Sequence, residues 1–431
     1  MAKMNRRRFL QMAGLGGLAA GLPYAATWGS QTKARVVVVG GGTGGAIAAR
    51  YVKALDPSID VTIIEAIPQH TTCYMSNWVL AEMRDLDSLT HSYDNVKRRG
   101  INVIIDRAER IDTEAQQVHT AGGERVAYDR LILAPGIDFR WNAIEGYDAA
   151  AAEILPHAWK AGPQTVLLKE QIKAMDDGGV VAIVAPPNPY RCPPGPYERA
   201  ALISHYLQRH KPKSKVVIYD TKDAFSKQGL FQAGWERHYP GMIDWVGGFE
   251  TDGGIRRINP EAMSMHTTFD DFHADVINVI PPHTAGRVAI ESGLTDDSGW
   301  CPVDFRDLES TLAKNVHIIG DAIVSSALPK SAYIAASTAK VAAVAVIDHI
   351  NGREPGKPAY FNTCYSLLTP EHSISVTGVY KVVTDADGQQ SVAGVGDSVA
   401  VSPAGADDRY QAREARYAES WYDNLVNQGF G

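Results

Sequence analysis

The sequence contains little cysteine, no basic face and, after its first 30 residues, no long apolar run. Only 4 of its 431 residues are cysteines, and none lies in a Cys-x-x-Cys-His motif, which excludes a c-type haem attached to this chain. The formal net charge of −7 and the absence of clustered basic residues exclude a nucleic-acid-binding protein. No stable membrane span is predicted, and no spacing of ligand residues predicts a metal site.

The first 30 residues have the pattern of an export signal. Residues 5–10 (NRRRFL) contain the twin arginines, a mildly apolar run rich in Ala and Gly follows, and small residues come after Tyr24. An N-terminal membrane anchor is the alternative, but several glycines and Pro23 interrupt a run already short for a bilayer. We therefore expect a twin-arginine signal peptide over 1–30 and a periplasmic mature chain, in a compartment where disulfides persist.

The chain that remains after this segment is acidic. It has 38 basic and 49 acidic residues, a net charge of −11. Such a surface is compatible with a basic electron-transfer partner, although a charge of this size often only confers solubility. The remaining length of about 400 residues predicts two or three domains.

The chain is organised around a strand, a glycine-rich turn and a helix at 35–52. Consecutive valines predict a strand buried on both faces, and a Gly-x-Gly-x-x-Gly spacing then turns the backbone into a helix. These glycines permit a tight turn, close approach of a pyrophosphate to the helix N-terminus, and close helix–strand packing. Glu65 ends the next strand, where its carboxylate can accept hydrogen bonds from a ribose. The predicted dinucleotide-binding residues are Gly40, Gly42, Thr43, Gly44, Gly45 and Glu65.

Two later segments are typical of an FAD-binding domain built from separate parts of the chain. Residues 128–136 predict a strand ending in Ala-Pro-Gly, which looks like the place where flavoproteins with two dinucleotide domains leave the FAD domain. Residues 315–322 predict a buried strand ending in Gly320-Asp321, and in such enzymes this Asp accepts hydrogen bonds from the ribityl chain. The helix predicted over 331–350 can direct its N-terminus at the flavin and stabilise negative charge there.

A second α/β unit lacks the glycine turn that a nicotinamide cofactor needs. Strands are predicted at 180–185 and 216–220, and the loop between them, at 186–196, is rich in proline. Because proline fixes φ and has no amide donor, this loop cannot wrap a pyrophosphate with backbone N–H groups. We expect a dinucleotide-binding architecture that has lost NAD(P)H, so the electron donor is another molecule.

The predicted fold class is therefore α/β, with two dinucleotide-binding domains of the glutathione-reductase type and a C-terminal α+β domain. The FAD-binding domain is expected over 33–155 and 272–355, and the second domain over 156–271. The strand at 274–280 is expected to begin the return to the first domain. Residues 356–431 are expected to form a C-terminal interface domain.

The C-terminal domain is predicted to contain strands at 373–376 and 398–401 and a closing helix over 408–427. This helix carries four aromatic residues among interleaved acids and bases. We expect its aromatic face to pack on the core or on another subunit rather than on a membrane. The aromatic residues are Tyr410, Tyr417, Trp421 and Tyr422.

Cys192 has the most distinctive surroundings of the cysteines. It lies in residues 191–199 (RCPPGPYER), just before a predicted helix. The helix N-terminus and the neighbours Arg191 and Arg199 would favour its thiolate, and Glu198 is placed to shuttle a proton. Glu198 could equally be an ordinary first-turn acid stabilised by the helix dipole.

The cysteines allow three complete pairings, and their spacing does not choose among them. A bond between Cys192 and Cys364 would close a long loop and stabilise the fold by roughly 5 kcal/mol in the chain-entropy model. A purely structural disulfide is therefore the alternative to a redox role. Cys73 has no partner nearby in the sequence, and by itself it could be a small buried hydrophobe.

Six motifs together resemble the flavoprotein subunit of flavocytochrome c sulfide dehydrogenase over essentially the whole mature chain. They are GGGTGG at 40–45, TCY at 72–74, RCPPGPYER at 191–199, GWCPVD at 299–304, GDA at 320–322 and NTCYS at 362–366. The resemblance implies covalent FAD, joined by a thioether between Cys73 and the 8α-methyl group. It also implies a redox-active disulfide between Cys192 and Cys364, with Glu198 beside it, and leaves Cys301 as a free thiol.

The same resemblance implies an activity and a partner. The protein would oxidise hydrogen sulfide to zero-valent sulfur or polysulfide, by attack of hydrosulfide on the disulfide, and pass electrons to the haem of a c-type cytochrome subunit in a heterodimer. One alternative is a membrane-bound sulfide:quinone oxidoreductase, which shares the fold and the catalytic cysteines. Another is a non-catalytic flavin-binding electron-transfer subunit whose cysteines only join domains. An NAD(P)H disulfide reductase is disfavoured by the proline-rich loop.

Overall fold

The computed structural model describes residues 33–431, and the signal-peptide prediction for residues 1–30 lies outside the described residues. The first part of the described chain forms most of one α/β domain. Its elements are β1 (Arg35–Val39), α1 (Thr43–Leu55), β2 (Asp60–Glu65), β3 (Gln69–Thr71), α2 (Ser76–Leu80), β4 (Thr90–Ser92), α3 (Asp94–Arg98), β5 (Asn102–Ile105), β6 (Ala108–Asp112), β7 (Gln117–Thr120), β8 (Arg125–Ala127), β9 (Arg130–Leu133) and β10 (Ile137–Phe139).

The middle of the chain forms a second α/β unit. Its elements are α4 (Pro163–Ala174), β11 (Val180–Val184), α5 (Gly195–His210), β12 (Lys215–Tyr219), α6 (Gln228–His238), β13 (Ile243–Val246), α7 (Gly248–Thr251), β14 (Arg257–Asn259), β15 (Ser264–His266), β16 (Asp271–His273) and β17 (Val276–Val279). The chain then returns to the first domain through β18 (His283–Ala285), α8 (Arg287–Glu291), β19 (Val316–Ile318) and α9 (Ala332–Ile350).

The first domain contains a five-stranded parallel sheet in the order β19-β9-β1-β2-β5. Its central strand, β1, pairs with β2 on one side and β9 on the other, and its four valines are at most 3% exposed. Because both faces of this strand are covered, a continuous apolar run is the sequence pattern that such a position requires. The buried strand predicted from the valines is therefore present, and it lies at the centre of the sheet.

The second domain contains a four-stranded parallel sheet in the order β13-β12-β11-β17. The prediction that residues 274–280 begin the return to the first domain is wrong, because β17 pairs with β11 from Val181 to Val184. An apolar strand carries no sign of which sheet it joins, and only tertiary pairing decides that. The return begins with β18, which pairs antiparallel with β10.

The C-terminal part of the chain forms an antiparallel sheet and a long helix. Its elements are β20 (Ala359–Thr369), β21 (His372–Thr384), β22 (Gln390–Gly394), β23 (Ala400–Val401) and α10 (Asp408–Gly429). The strand predicted at 373–376 lies within β21, whereas the strand predicted at 398–401 is reduced to the two residues of β23. The closing helix begins as predicted at Asp408, after its N-cap Asp407, and ends two residues later than predicted. The predicted fold class is confirmed by this sheet and the two parallel sheets.

α9 is an apolar helix that the sequence analysis did not count as a long apolar run. Among the described residues it is the one helix long and apolar enough to cross a bilayer, by length and composition. In this fold, 61% of the most apolar 18-residue stretch of the helix is buried, and the helix packs against α1 and β20. It begins where the sequence predicts, with the Ser331 side chain accepting a hydrogen bond from the Ile334 N–H.

The glycine turn after β1 brings α1 against the strand. A Cβ atom added at Gly45 would lie 1.8 Å from the carbonyl oxygen of Gly40, and one added at Gly40 would lie 2.2 Å from that of Ala134. Gly40 also has φ of 92°, in the left-handed region that favours glycine. The turn and the close packing expected from the motif are thus explained by backbone contacts.

This geometry predicts that Gly45→Ala destabilises the protein by about 2–4 kcal/mol, because the overlap with backbone cannot be relieved by a rotamer change. Gly356→Ala is the matched control, since an added Cβ there meets no atom within 4 Å. Urea unfolding of both FAD-loaded variants measures the difference. Equal midpoints for the two variants would contradict the packing role of Gly45.

Candidate active site

One cavity collects most of the residues that the sequence analysis selected. Its empty volume is about 1300 Å³, including the part that opens to solvent. Gly40, Gly45 and Glu65 lie outside its lining, where they shape the turn behind it. The predicted residues that line it are Gly42, Thr43, Gly44, Cys73, Cys192, Glu198, Gly320, Asp321 and Cys364.

A hydrogen bond from the backbone to the side chain joins the glycine turn to Glu65. The Gly41 N–H donates to Oε2 of Glu65 at 2.6 Å, and the Ile67 N–H donates to its Oε1 at 3.2 Å. The carboxylate therefore stands at the end of β2, beside the turn that leads into α1. Its predicted contact with a ribose stays a prediction.

Gly320 and Asp321 follow β19 and form a wall of the same cavity. The Gly320 N–H donates to Oγ1 of Thr338 at 3.1 Å, which fixes the turn against α9. Oδ1 of Asp321 is buried and has no hydrogen-bond partner within the described chain, and burial raises the pKa of this carboxyl. A buried polar atom without a partner is unfavourable, so this position calls for a donor from a bound molecule.

These features fit FAD. The unpaired Asp321 oxygen suits a ribityl hydroxyl, and the turn at Gly42–Gly44 leaves the backbone at the start of α1 open to a pyrophosphate. Ser331 and Ala332, at the N-terminus of α9, line the same space and place the positive end of a helix dipole there. The predicted FAD-binding residues that line the cavity therefore have a chemistry that fits the cofactor, and their contacts with FAD stay a prediction.

Cys192 lies in a constrained turn directly before α5. Its φ of 59° is in the left-handed region, its N–H donates to the carbonyl oxygen of Lys330 at 2.7 Å, and its own carbonyl accepts from Gly195 at 2.8 Å. An added Cβ at Gly195 would lie 2.5 Å from the Trp159 ring and 3.0 Å from Sγ of Cys192. The turn thus holds the thiol over a residue that must be glycine.

Cys364 lies on β20, opposite Val376 of β21, and its thiol is 3.5 Å from Oδ1 of Asn362. Cys192 and Cys364 line the same cavity, although they are 172 residues apart in the sequence. All four cysteines are free thiols in the structure, and no bond joins this pair. The Cys192–Cys364 disulfide therefore stays a prediction, and what the structure adds is the shared cavity.

The expectation that Cys192 is held as a thiolate is wrong for this arrangement. Burial raises the pKa of its thiol well above the ordinary value, Glu198 and Cys364 raise it further, and Arg191 opposes this only in part. Arg199 is near enough for its charge to interact with Cys192, but its guanidinium donates its hydrogen bonds to other groups. The sequence did not reveal that burial of the thiol outweighs the effect of the neighbouring cations.

Arg199 is a buried guanidinium that joins several segments. Its Nε donates to Oδ1 of Asn77 at 2.9 Å, Nη1 to Oδ1 of Asn278 at 2.8 Å and to the His157 carbonyl at 3.1 Å, and Nη2 to the Ala158 carbonyl at 2.6 Å. Burial lowers its pKa to about 9. The sequence analysis missed Asn77 and Asn278, since isolated asparagines carry no signal of such a network.

Glu198 is buried between the two cysteine-bearing segments. Its Oε2 accepts from Nδ2 of Asn77 at 3.0 Å, and its Oε1 accepts from the Leu367 N–H at 2.9 Å. Burial raises the pKa of this carboxyl, while the two hydrogen bonds oppose the increase. A carboxyl with a raised pKa at 9% exposure can both accept and release a proton near the thiols.

Lys227 is a second buried cation at the site that the sequence analysis did not select. Its Nζ donates to Oγ of Ser366 at 2.8 Å and to the Ile374 carbonyl at 3.1 Å. Burial raises the pKa of the Cys364 thiol, and the charge of Lys227 is the largest effect opposing that increase. The two cysteines are therefore not equivalent. At Cys364 the charge of a cation is the largest effect after burial, whereas at Cys192 neighbouring acidic groups raise the pKa further and Arg191 is the smallest effect.

Cys73 and Cys301 occupy different environments. Cys73 lies between β3 and α2, lines the cavity, and its carbonyl accepts from Oγ of Ser76 at 2.7 Å. Cys301 is fully buried beside Ile323, outside the cavity lining, and burial raises its pKa to about 12. Because Cys73 lines the cavity, its thiol can contact a bound cofactor. Because Cys301 is buried outside the cavity lining, we expect its thiol to be unreactive.

Three family models match separate parts of the chain. Residues 165–281 match the central part of the sulfide dehydrogenase [flavocytochrome c] flavoprotein chain, and residues 356–430 match the flavin-binding part of flavocytochrome c sulphide dehydrogenase. Residues 34–165 match the pyridine nucleotide-disulphide oxidoreductase model.

Similar proteins have names that refer to sulfide. The chain is 58% identical over 45 residues to a sulfide dehydrogenase [flavocytochrome c] flavoprotein chain from Chlorobaculum thiosulfatiphilum, covering 10% of this chain and 94% of that sequence. It is 24% identical over 323 residues to a mitochondrial sulfide:quinone oxidoreductase from Dictyostelium discoideum, covering 71% of this chain and 68% of that protein. The solved sulfide:quinone oxidoreductase from Aquifex aeolicus has a TM-score of 0.72 at 16% identity, covering 92% of each chain, and shows a shared fold.

The environment of Glu198 predicts a pH-dependent contribution to stability. Because burial raises its folded-state pKa above the unfolded value, this contribution is fully present below the ordinary pKa of Glu and is lost as the pH rises through the raised value. The unfolding free energy of wild type minus that of Glu198→Gln should therefore fall as the pH rises from the ordinary pKa of Glu through the raised pKa. Urea unfolding at each pH measures it.

Glu236→Gln is the control for this measurement, since Glu236 is an exposed glutamate of α6. The difference between wild type and this control should stay constant with pH. A constant difference for Glu198→Gln as well would contradict the burial-driven increase of the Glu198 pKa.

Proposed function

Because this chain belongs to the family of sulfide-processing flavoproteins that includes the flavoprotein chain of flavocytochrome c sulfide dehydrogenase, we propose that it oxidises hydrogen sulfide to zero-valent sulfur or polysulfide. The observation that carries the proposal is the cavity that contains Cys192, Cys364 and Glu198 together with Asp321 of the FAD site. A thiol pair, an acid–base group and a flavin site in one enclosed space are the components that sulfide oxidation needs.

In the proposed reaction, Cys192 and Cys364 begin as a disulfide. Hydrosulfide forms a bond to the sulfur of Cys192, and the bond between the two cysteines breaks, leaving a persulfide on Cys192 and a thiolate on Cys364. Attack at Cys192 is favoured because Lys227 opposes the desolvation of the leaving Cys364 thiolate. Glu198 accepts the hydrosulfide proton, because burial raises the pKa of its carboxyl and makes the carboxylate a stronger base.

FAD, when bound along Gly42–Gly44 and Asp321, would supply a two-electron acceptor for the two cysteine thiols that remain once the polysulfide has left. We propose that Cys73 holds it covalently, because this cysteine lines the cavity and its resemblance to the family motif implies a thioether. Attack by a second hydrosulfide on the persulfide releases the sulfur as a polysulfide. Release of two electrons to the flavin allows Cys192 and Cys364 to form their disulfide again.

The next acceptor of the electrons is proposed to be a c-type cytochrome subunit in a heterodimer. The matches to the flavocytochrome c models support this, and the acidic mature chain suits a basic partner. The twin-arginine pattern supports a periplasmic location, where such cytochromes occur. The longer similarity to sulfide:quinone oxidoreductases favours quinone as the second candidate acceptor.

The proposed function makes a prediction about the cysteine pair. Anaerobic sulfide should bleach the absorbance of oxidised FAD in the wild-type protein, and Cys192→Ser should slow this reduction by about 10³-fold or more while FAD stays bound. Stopped-flow absorbance measures the rate. Cys301→Ser is the matched control, since Cys301 is buried outside the cavity lining, and it should be reduced at the wild-type rate.

Rapid reduction of Cys192→Ser by sulfide would contradict the disulfide mechanism, and an unreactive wild-type protein would contradict sulfide as the donor. Mixing the sulfide-reduced protein with an oxidised c-type cytochrome, or with a quinone in lipid vesicles, then identifies the acceptor. Faster re-oxidation by quinone would exclude the cytochrome proposal.

The proposed function also makes a prediction about the covalent attachment of FAD to Cys73. After acid denaturation, FAD should stay with the wild-type polypeptide and with Cys301→Ser, whereas Cys73→Ser should release it, because only Cys73 is proposed to form the thioether. Flavin fluorescence of the precipitated protein and of the supernatant measures the partition. Release of flavin from the wild-type protein would overturn covalent binding without bearing on sulfide oxidation.

A further inference from the structure

A second cavity lies beside the proline-rich loop and takes no part in the flavin site. Its empty volume is about 960 Å³, including the part that opens to solvent. The loop at 187–189, Trp300 and the segment 324–326 contribute to its walls, and two cations, Arg140 and Lys330, line it. No carboxylate lies among its lining residues in the described part of the chain.

His283 contributes a buried donor to this cavity. It is 3% exposed, and its Nδ1 accepts a hydrogen bond from the Arg191 N–H at 3.0 Å. Burial lowers its pKa well below the ordinary value, and the nearby cations act in the same direction, so the ring is neutral. With Nδ1 as acceptor, the proton is on Nε2, and Nε2 has no hydrogen-bond partner in the described chain. A buried donor of this kind calls for an acceptor from outside the protein.

The cavity is attached directly to the segment that holds the cysteine. His283 accepts the Arg191 N–H, and the Lys330 carbonyl accepts the N–H of the next residue, Cys192, at 2.7 Å. Two residues that line the second cavity therefore accept hydrogen bonds from the consecutive N–H groups of Arg191 and Cys192. This places the second cavity against the wall that carries the reactive thiol.

The two cations bring positive charge to the cavity, although burial lowers the pKa of Lys330 to about 8. Arg140 is exposed; its Nε donates to the His283 carbonyl at 3.2 Å and its Nη2 to the Ser298 carbonyl, while Nη1 has no partner in the described chain. Nζ of Lys330 donates to the carbonyls of Asp321 and Ile323 at 2.8 and 2.7 Å and lies 3.5 Å from the centre of the Trp300 ring. Backbone carbonyls accept the hydrogen bonds of both side chains and orient them. In the described chain, neither side chain has a carboxylate within hydrogen-bond distance.

We propose that this cavity binds anionic sulfur: it receives hydrosulfide before attack on Cys192 and holds the anionic polysulfide that leaves. The inference rests on the proposed function and adds a second site to it. Cations and a neutral N–H donor suit a monovalent anion, while Trp300 and the prolines offer apolar contact to a polarisable sulfur chain. Because no carboxylate lies among the described residues that line the cavity, no negatively charged side chain of the lining repels such an anion.

The first test measures anion binding without sulfide. Crystals of the FAD-loaded protein are soaked in bromide, a monovalent anion with an anomalous signal. A bromide peak is expected between Arg140 and Nε2 of His283 in the wild type, and it should be absent in Arg140→Gln. No peak at this place in the wild-type protein overturns the anion site, whatever sulfide does.

The second test measures delivery of sulfide. The second-order rate constant of flavin reduction at low ionic strength should fall about tenfold in Arg140→Gln and return to near the wild-type value in Arg140→Lys, because the charge attracts the anion. Arg107→Gln is the control for the loss of one surface charge; Arg107 is exposed, pairs with Glu109 and lies outside both cavities. Its rate constant should stay unchanged.

The two tests separate this inference from the proposed function. Bromide binding in a protein that sulfide does not reduce would contradict sulfide oxidation and leave a general anion site. Reduction of wild type and Arg140→Gln at equal rates would overturn the delivery role even if bromide binds. A decrease of the same size in Arg107→Gln would also overturn it, because the effect would then be one of overall charge.

Discussion

The buried guanidinium of Arg199 is the interaction on which the geometry of the site depends. It joins α2 through Asn77, the 157–158 segment through two carbonyls, and β17 through Asn278. A buried cation is costly unless its donors are satisfied, so these segments must meet around it in one arrangement. That arrangement positions the first turn of α5, and with it Glu198, beside the cysteines.

Desolvation then determines the chemistry that these groups can perform. Burial raises the pKa values of Cys192, Cys364, Glu198 and Asp321 together, so each of them is ionised less readily than in water. A negative charge that forms there must be placed beside Lys227 or transferred onward. The site therefore disfavours the accumulation of negative charge on these groups. The second cavity, which Arg140 and Lys330 line, lies beside the proline-rich loop.

The sequence predicted the parts of this protein that depend on local backbone chemistry. The glycine turn follows from contacts that exclude a Cβ at Gly40 and Gly45, and the capped start of α9 follows from Ser331. It failed where a partner distant in the sequence decides the outcome. β17 joined the second sheet because of its pairing with β11, and the Arg199 guanidinium donates hydrogen bonds to the two asparagines rather than to Cys192.

The sequence by itself determined the α/β fold class, the dinucleotide turn and the residue types of the site, because turns, caps and buried strands are set by neighbours along the chain. Only the tertiary structure decided that Cys192 and Cys364 line one cavity, that their thiols are desolvated, and that His283 lies behind the cysteine turn with an unpaired donor. Burial and side-chain direction depend on segments far apart in the chain, so no local pattern records them.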